Sequence, residues 1–259
     1  MLPMTVSLPD YSIIIPAFNE AAYLGSALAS VKNAQSSFAH QTGEIIVVDN
    51  NSTDQTPQIA KSFGVTVVFE PVNQISRARN RGAQAAKGKY LIFLDADTAL
   101  SEQLLRKTLE LLDSGKIAGG GTLLDHSSAE PLKVKRLIQL WNLISRFRNL
   151  AAGLYLFCLK QAWLDIGGFD ETVYIAEELI FSKQLKKWAK KHNMRFCILD
   201  IPIQTSWRKF QWFTYKTIVL SLAMGWFFKK NKDKCRLWYE RNAAQKPNQP
   251  VRRSFSEDG

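Results

Sequence analysis

Four short apolar runs, each followed by a stretch of helical periodicity, constrain this chain more than any other feature. They are YSIIIPAF at Tyr11–Phe18, EIIVVD at Glu44–Asp49, VTVVF at Val65–Phe69 and YLIFLD at Tyr90–Asp95. The runs are near-continuously apolar instead of alternating. A strand of that kind is buried on both faces, the mark of a parallel sheet covered by helices on both sides. The intervening segments supply helical patterns at Glu20–Asn33, Asp54–Phe63, Ser76–Ala86 and Ser101–Asp113. Ser52 or Asp54 is placed to cap the second helix, and Ser101 the fourth. The first half therefore reads as α/β and doubly wound. Ligands of such sheets bind beyond the carboxyl ends of the strands. Those ends carry Pro16-Ala17-Phe18-Asn19-Glu20, Asp49-Asn50-Asn51-Ser52 and Asp95-Ala96-Asp97.

The second half is less regular and strongly basic. Residues 1–130 hold 10 Lys/Arg against 13 Asp/Glu, and residues 131–259 hold 24 against 10. Such asymmetry points to an anionic surface or substrate met by the second half, with a solvated basic face as the plain alternative. Leu132–Leu150 has helical spacing, with Leu137, Leu140, Trp141, Ile144 and Phe147 on one side and five Lys/Arg interleaved. Ala151–Lys160 reads as a strand, and Glu177–His192 as a helix with Phe181, Leu185, Trp188 and His192 on one face. Gly119-Gly120-Gly121 reads as a close-packed turn.

Several classes are excluded. No apolar run reaches the ~20 residues of a spanning helix, and MLPMTVSLPD has neither the basic start nor the apolar core of a signal peptide. Cys158, Cys197 and Cys235 form no C-x-x-C, so free structural thiols are expected. No G-x-G-x-x-G follows the first strand and no G-x-S-x-G occurs. The P-loop-like stretch from Gly82 has its second glycine one place late and Tyr90 where a magnesium-binding hydroxyl should stand. Charge alone suggests nucleic acid, but no RNA- or DNA-binding motif is present, so none is expected as a partner.

The sharpest motif is Asp95-Ala96-Asp97. Two acids one residue apart are common on surfaces, yet here a buried strand delivers them at its carboxyl edge. Hard oxygen ligands at that spacing suit Mg²⁺ or Mn²⁺ holding a diphosphate. Asp49 also ends a strand, and Arg77, Arg79 and Arg81 precede the fourth.

Taken together, SIIIPAFNE, EIIVVDNNSTDQT and ISRARNRGAQAAKGKYLIFLDAD resemble the nucleotide-sugar domain of family 2 glycosyltransferases, which have the GT-A fold. GGFDETVYIAEELIFSKQLKKW resembles that family's acceptor-side segment. The resemblance covers roughly residues 11–200, in the family's order. It implies a GT-A-like, doubly wound, mostly parallel sheet with helices on both faces, and a metal-dependent, inverting transferase using a nucleotide-sugar donor. Pro16, Ala17 and Glu20 match the segment bordering the nucleoside. Asp49 matches the carboxylate that takes a hydrogen bond from the base; uracil and guanine offer a ring N–H there and adenine does not. Asp95 and Asp97 match the ribose and metal-diphosphate contacts. Arg79 is placed near the diphosphate, with a surface or salt-bridge role as the alternative.

Glu177-Glu178 stands where the family usually has Glu-Asp, the second acid being the general base. Glu178 is thus the implied base, one methylene longer than usual, with Glu177 as the alternative. Both are also acids at a helix start, which the macrodipole favours in any protein. A lipid-phosphate acceptor would need no strong base. The Gln-x-x-Arg-Trp signature of processive synthases is absent, Gln204-Thr-Ser-Trp-Arg-Lys-Phe standing in its place, so a single transfer is expected. Where many relatives supply a metal-binding His, the chain offers Ser206 and Trp207.

The expected organisation is a GT-A domain over 1–205 (donor half 11–125, acceptor half 126–205), an amphipathic basic helical extension over 206–245, and a disordered tail over 246–259. Phe210–Lys230, aromatic at both ends with basic flanks, suits amphipathic C-terminal helices lying on an anionic membrane, or ordinary core packing. The acceptor expected is a lipid-linked or glycan intermediate, at the cytoplasmic, inner face of the plasma membrane. A non-catalytic nucleotide-sugar-binding or scaffold relative is the alternative function.

Overall fold

In the computed structural model, residues 8–36, 41–127 and 132–206 are described. The chain forms β1 (Tyr11–Ala17), α1 (Leu24–Ser36), β2 (Gly43–Asp49), α2 (Thr56–Ser62), β3 (Thr66–Phe69), α3 (Ile75–Ala85), β4 (Tyr90–Leu94), β5 (Thr98–Ala99) and α4 (Glu102–Asp113). It continues through β6 (Ile117–Leu124), α5 (Leu132–Arg148), β7 (Tyr155–Leu159), α6 (Lys160–Ile166), α7 (Glu177–Lys191) and β8 (Arg195–Thr205). The expected extension beyond its first residue, Ser206, and the tail lie outside the described residues.

The strands make one sheet in the order β3-β2-β1-β4-β7-β6-β8-β5. Parallel pairing joins β3, β2, β1 and β4, and also β6 with β8. β7 runs antiparallel between β4 and β6, and β5 antiparallel on β8. The sheet is thus mostly parallel and helix-covered, as expected. The apolar runs are explained by alternation between two cores. Ile13, Ile15, Ile45 and Val47 face α1 and α4, burying Leu24, Leu28, Leu105 and Leu109. Ile14, Ile46 and Val48 face α3 and α7, burying Ala78, Phe181 and Leu185. Successive side chains of a strand point to opposite faces, so a strand covered on both sides must be apolar throughout.

The winding reverses between β1 and β4. From β1 the chain steps outward to β2 and β3, then returns to place β4 on the other flank of β1. A crevice opens at such a switch point, outside the carboxyl ends of the strands. Pro16 and Ala17 are paired with Val48 and Asp49, so the expected donor residues end level with one another.

Several expectations are corrected. The triple glycine is not a turn but the middle of β6. A Cβ on Gly120 would lie 2.1 Å from the Cys197 carbonyl oxygen, so glycine serves close strand approach here, not reversal. α6 and β8 were not anticipated; α6 follows directly on β7, and Gly167 ends it in the left-handed region at φ 77°. In α5 the side carrying Leu140, Ile144 and Phe147 faces outward, while Val134, Ile138 and Ser145 are buried. Ser101 caps α4 by accepting from Leu104 N–H at 3.2 Å. Neither Ser52 nor Asp54 occupies the N-cap of α2, which is Gln55.

Gly120→Ala should cost about 1–3 kcal/mol, the range for overpacking a filled interior. Urea unfolding followed by circular dichroism reads this as a lower midpoint at unchanged slope; an unaltered midpoint would contradict the close approach.

Candidate active site

The loops after β1 and β2 are stitched together by short polar side chains. Asn50 N–H donates to the Ala17 carbonyl at 2.8 Å. Asp49 Oδ1 accepts from Ser52 N–H at 2.9 Å, and Ser52 Oγ accepts from Asn19 N–H at 3.0 Å. Asn19, left-handed at φ 52°, turns its Oδ1 to Thr53 N–H at 2.8 Å. Glu20 N–H donates to Thr56 Oγ1 at 2.7 Å, and Ala21 N–H to Asp54 Oδ2 at 3.1 Å. Ser52 is thus committed to the neighbouring loop, whereas Asp54 serves both sides: its Oδ1 accepts from the N–H of Thr56, the first residue of α2, at 2.9 Å, although Gln55 holds the N-cap position. Asp49 and Glu20 are buried carboxylates on this floor.

Asp95 and Asp97 follow β4 and are held in different ways. Asp95 N–H donates to the Leu154 carbonyl at 3.1 Å, and its Oδ1 meets Arg79 Nη2 at 3.3 Å. Asp97 Oδ2 accepts from Ser206 Oγ at 2.6 Å, while Ser206 N–H donates to the Asp97 carbonyl at 3.1 Å. The end of β8 thus aims Asp97. Ser206 stands at this carboxylate, where relatives were expected to supply a histidine. Among the described residues no group of three His, Cys, Asp or Glu gathers to hold a metal. The oxygen donors present suit Mg²⁺ or Mn²⁺, ions bound through one or two carboxylates while substrate phosphates supply further ligands.

Arg79, on α3, is the buried centre of the site. Its Nη1 donates to Glu177 Oε1 at 2.8 Å and its Nη2 to the Gly153 carbonyl at 2.8 Å, besides reaching Asp95. Its guanidinium carbon lies 5.3 Å from the Phe169 ring centroid. That ring stacks on Phe181 at 4.2 Å and meets Phe93 edge-on at 5.0 Å. Burial works against the charged guanidinium, but attraction to Glu177, Asp95 and Glu178 outweighs it and holds the pKa above its ordinary value.

Glu177 and Glu178 open α7 and point apart, as neighbours on a helix must. Glu177 is buried against Arg79. Glu178 is partly buried, and its carboxyl is pushed up to about 8, first by burial and then by repulsion from Glu177. One cation faces three carboxyl groups here. Arg79 pairs directly with Asp95 and Glu177, and its attraction only partly offsets the upward push on Glu178. The residue before the pair, Ala176, is left-handed at φ 61°. That conformation costs a non-glycine residue about 1–2 kcal/mol, and strain of this kind collects at functional sites. Gly153 faces the pair. A Cβ there would lie 3.1 Å from Arg79 Nη2 and 3.7 Å from the Glu178 carboxyl carbon. The tight neighbour is the guanidinium, so glycine here leaves room for Arg79, while 3.7 Å to Glu178 is an ordinary contact.

The model of the Glycosyl transferase family 2 domain matches residues 12–159, more than half of the chain. The chain belongs to glycosyl transferase family 2. Glycosyltransferase AglE of Haloferax volcanii is 28% identical over 193 residues, covering 70% of this chain and 62% of AglE. The chain therefore spans less than two thirds of that relative. Among solved structures, Staphylococcus aureus TarS residues 1–349 with UDP superposes at TM-score 0.59 and 21% identity, over 76% of this chain and 60% of the other. The mannosyltransferase PcManGT of Pyrobaculum calidifontis, with GDP-Man and Mn²⁺, superposes at TM-score 0.61 and 18% identity, over 77% and 57%. These likenesses show the GT-A fold.

In this family 2 chain the segment between α6 and α7 is held to α3 by residues that no spacing singled out. Asn80 donates to the Phe169 carbonyl at 2.9 Å and accepts from Phe169 N–H at 2.8 Å. Gln74 Nε2 donates to the carbonyls of Glu171 and Val173, both at 2.8 Å. Gln74, Asn80 and Gly153 pass unnoticed in sequence because their partners are far along the chain. The only local hint is the Arg79-Asn80 doublet on an otherwise ordinary helix. The site residues Asp95, Arg79, Glu177 and Glu178 come together in space; Pro16, Ala17, Glu20 and Asp49 form the neighbouring floor. Cys158 and Cys197 are free thiols.

Arg79→Met leaves the buried Glu177 and the partly buried Asp95 without their cation, and should cost about 3–5 kcal/mol at neutral pH, less in acid where carboxyls protonate; urea titration at two pH values checks it. Glu178 gives the opposite pH signature. Its folded pKa lies above the unfolded value, so the folded state holds the extra proton between about 4.5 and 8. Stability from this group is full below that window and is lost as pH rises through it. Glu178→Gln should remove this decline, seen as a flatter melting temperature against pH; an unchanged slope would sink the assignment.

Proposed function

We propose that the chain is an inverting, divalent-metal-dependent glycosyltransferase that moves one sugar from a nucleotide-sugar to a hydroxyl or lipid-phosphate acceptor. The observation that carries this reading is the buried Arg79, which ties Asp95 after β4 to Glu177 at the start of α7. Donor-side and acceptor-side chemistry then share one rigid centre.

In this reading Pro16, Ala17 and Glu20 border the nucleoside and Asp49 accepts from the ring N–H of the base. A UDP-sugar is proposed ahead of a GDP-sugar; UDP in TarS and GDP-Man in PcManGT keep both in view. Asp97 and Asp95 would hold Mg²⁺ or Mn²⁺, which when bound supplies positive charge to the departing diphosphate. Ser206 fixes the direction of Asp97 by its hydrogen bond. Glu178 takes the proton of the acceptor hydroxyl as that oxygen attacks the anomeric carbon from the face opposite the leaving group. A carboxylate with a raised pKa is the stronger base near neutral pH. Glu177, neutralised by Arg79, is a positioning residue. The acceptor proposed is a lipid-linked or glycan intermediate, met by peripheral contact at the cytoplasmic face of a membrane. No helix among the described residues is long and apolar enough to cross one.

The test is thermal stability against UDP, GDP, dTDP, CMP and ADP, each with and without Mn²⁺. Ligand at a hundred times its Kd adds about 2.7 kcal/mol. One nucleotide should give a shift that grows with Mn²⁺, and Asp97→Asn should erase the metal-dependent part while leaving the apo melting temperature near wild type. No shift with any nucleotide would overturn the donor site. With a hydroxyl acceptor, kcat/KM should rise with pH through about 8, the value to which Glu178 is raised. Glu178→Gln should then lower kcat by roughly 10²–10⁴. A lipid-phosphate acceptor predicts neither the rising limb nor that loss.

A further inference from the structure

Helix α5 presents an unusual outer face. Phe147 is 82% exposed and Leu132 61%, and Leu140, Leu143 and Ile144 are exposed beside them. At 100° per residue these five side chains fall within one sector of about 120°. Val134 and Ile138 are the buried hydrophobic residues on the opposite side, packed against Leu124. The helix carries Lys133, Lys135, Arg136, Arg146 and Arg148 and no acid at all. Lys133 and Arg136 rise from within the apolar sector, and the others flank it. Arg146 meets the exposed Asp200, at one edge.

We propose that this face is a docking surface for an anionic lipid bilayer, into whose headgroup region Leu140, Leu143, Ile144 and Phe147 insert while the Lys and Arg side chains meet lipid phosphates. Contiguous exposed apolar surface with a basic rim marks an interaction site, and a basic amphipathic helix lying in the interface plane is one form of it. Charge complementarity selects the occupant. Residues 207–259 carry 12 Lys/Arg against 4 Asp/Glu, so that stretch offers the five cations of α5 few acidic partners. A second copy would set the same five cations against themselves. Nucleic acid would meet the cations but leaves the leucines and Phe147 in water. A bilayer rich in acidic headgroups satisfies both, because long basic side chains extend to the phosphates while their stems and the apolar residues enter the acyl boundary.

The surface is linked to the site. Lys186 Nζ on α7 donates to the Arg148 carbonyl at 2.9 Å, and the chain leaving α5 reaches Gly153, which holds Arg79, within five residues. Docking through α5 would therefore orient the helix that Glu178 opens. This deepens the membrane-borne acceptor proposed above and rests on it for its meaning. Vesicle binding itself requires neither donor nor acceptor, so the two readings fail separately.

The experiment is flotation of the full chain with vesicles of phosphatidylcholine alone or mixed with phosphatidylglycerol. Wild type should float only with the mixed vesicles, less so as salt increases. The variant L140S/L143S/F147S should lose roughly tenfold or more of its partition, and so should K133E/R136E, which spares the apolar residues. Both should keep the wild-type urea midpoint and nucleotide-induced thermal shift, since the altered side chains are not buried. Flotation of both variants equal to wild type would place binding elsewhere in the chain and overturn the proposal, as would wild type failing to float. Loss of a lipid-free dimer in L140S/L143S/F147S would assign the face to a second copy. Protection of residues 132–148 from labelling in the lipid-free chain would assign it to the chain's own segment. Either result also overturns the proposal.

Discussion

A guanidinium buried among carboxylates is the interaction on which this site rests. Arg79 reaches Asp95 after β4, Glu177 at the start of α7 and the Gly153 carbonyl before β7. Three segments distant in sequence are thereby fixed to one point on α3. An uncompensated charge at such depth would be costly, so the arrangement holds only when all partners are present. The same charge count sets the chemistry. With one cation shared by two carboxylates, burial and the neighbouring Glu177 charge keep Glu178 protonated well above the usual carboxylate range. Stability and acid–base character are consequences of one electrostatic cluster.

Around that cluster the fold contributes rigidity of a conventional kind. The parallel strands end in register, so that Ala17 and Asp49 lie side by side. Short polar residues sew the next loops together. The aromatic stack of Phe93, Phe169 and Phe181 forms a packed support beneath Arg79. Asn80 and Gln74 clamp the segment leading to α7, using both the donors and the acceptors of a side-chain amide. The left-handed Ala176 then turns the chain into the helix that carries the acid pair.

α5 shows how far a periodic pattern can be read and where the reading stops. Its apolar spacing identifies a helix, and the helix is there. Periodicity cannot say which side meets the core. Val134, Ile138 and Ser145 are the side chains packed inward, and the larger stripe faces out. The triple glycine offers a similar case. Glycine permits tight turns and also close approach of extended chains, and only the neighbouring β7 and β8 decide between them at Gly120.

What the sequence by itself determined is the layered α/β architecture, the strands ending in acids and the acid pair opening α7. These follow from local rules: apolar continuity means burial on both faces, and a carboxylate after a buried run must emerge at its edge. The family resemblance extends the same local strings. What only the tertiary structure decided is which partners those residues find. Arg79 is 16 residues from Asp95 but 98 from Glu177, and Asp97 is 109 residues from Ser206. The room beside Arg79 comes from Gly153, on another loop. Contacts across such separations depend on how the sheet winds and where it reverses, which no local pattern encodes.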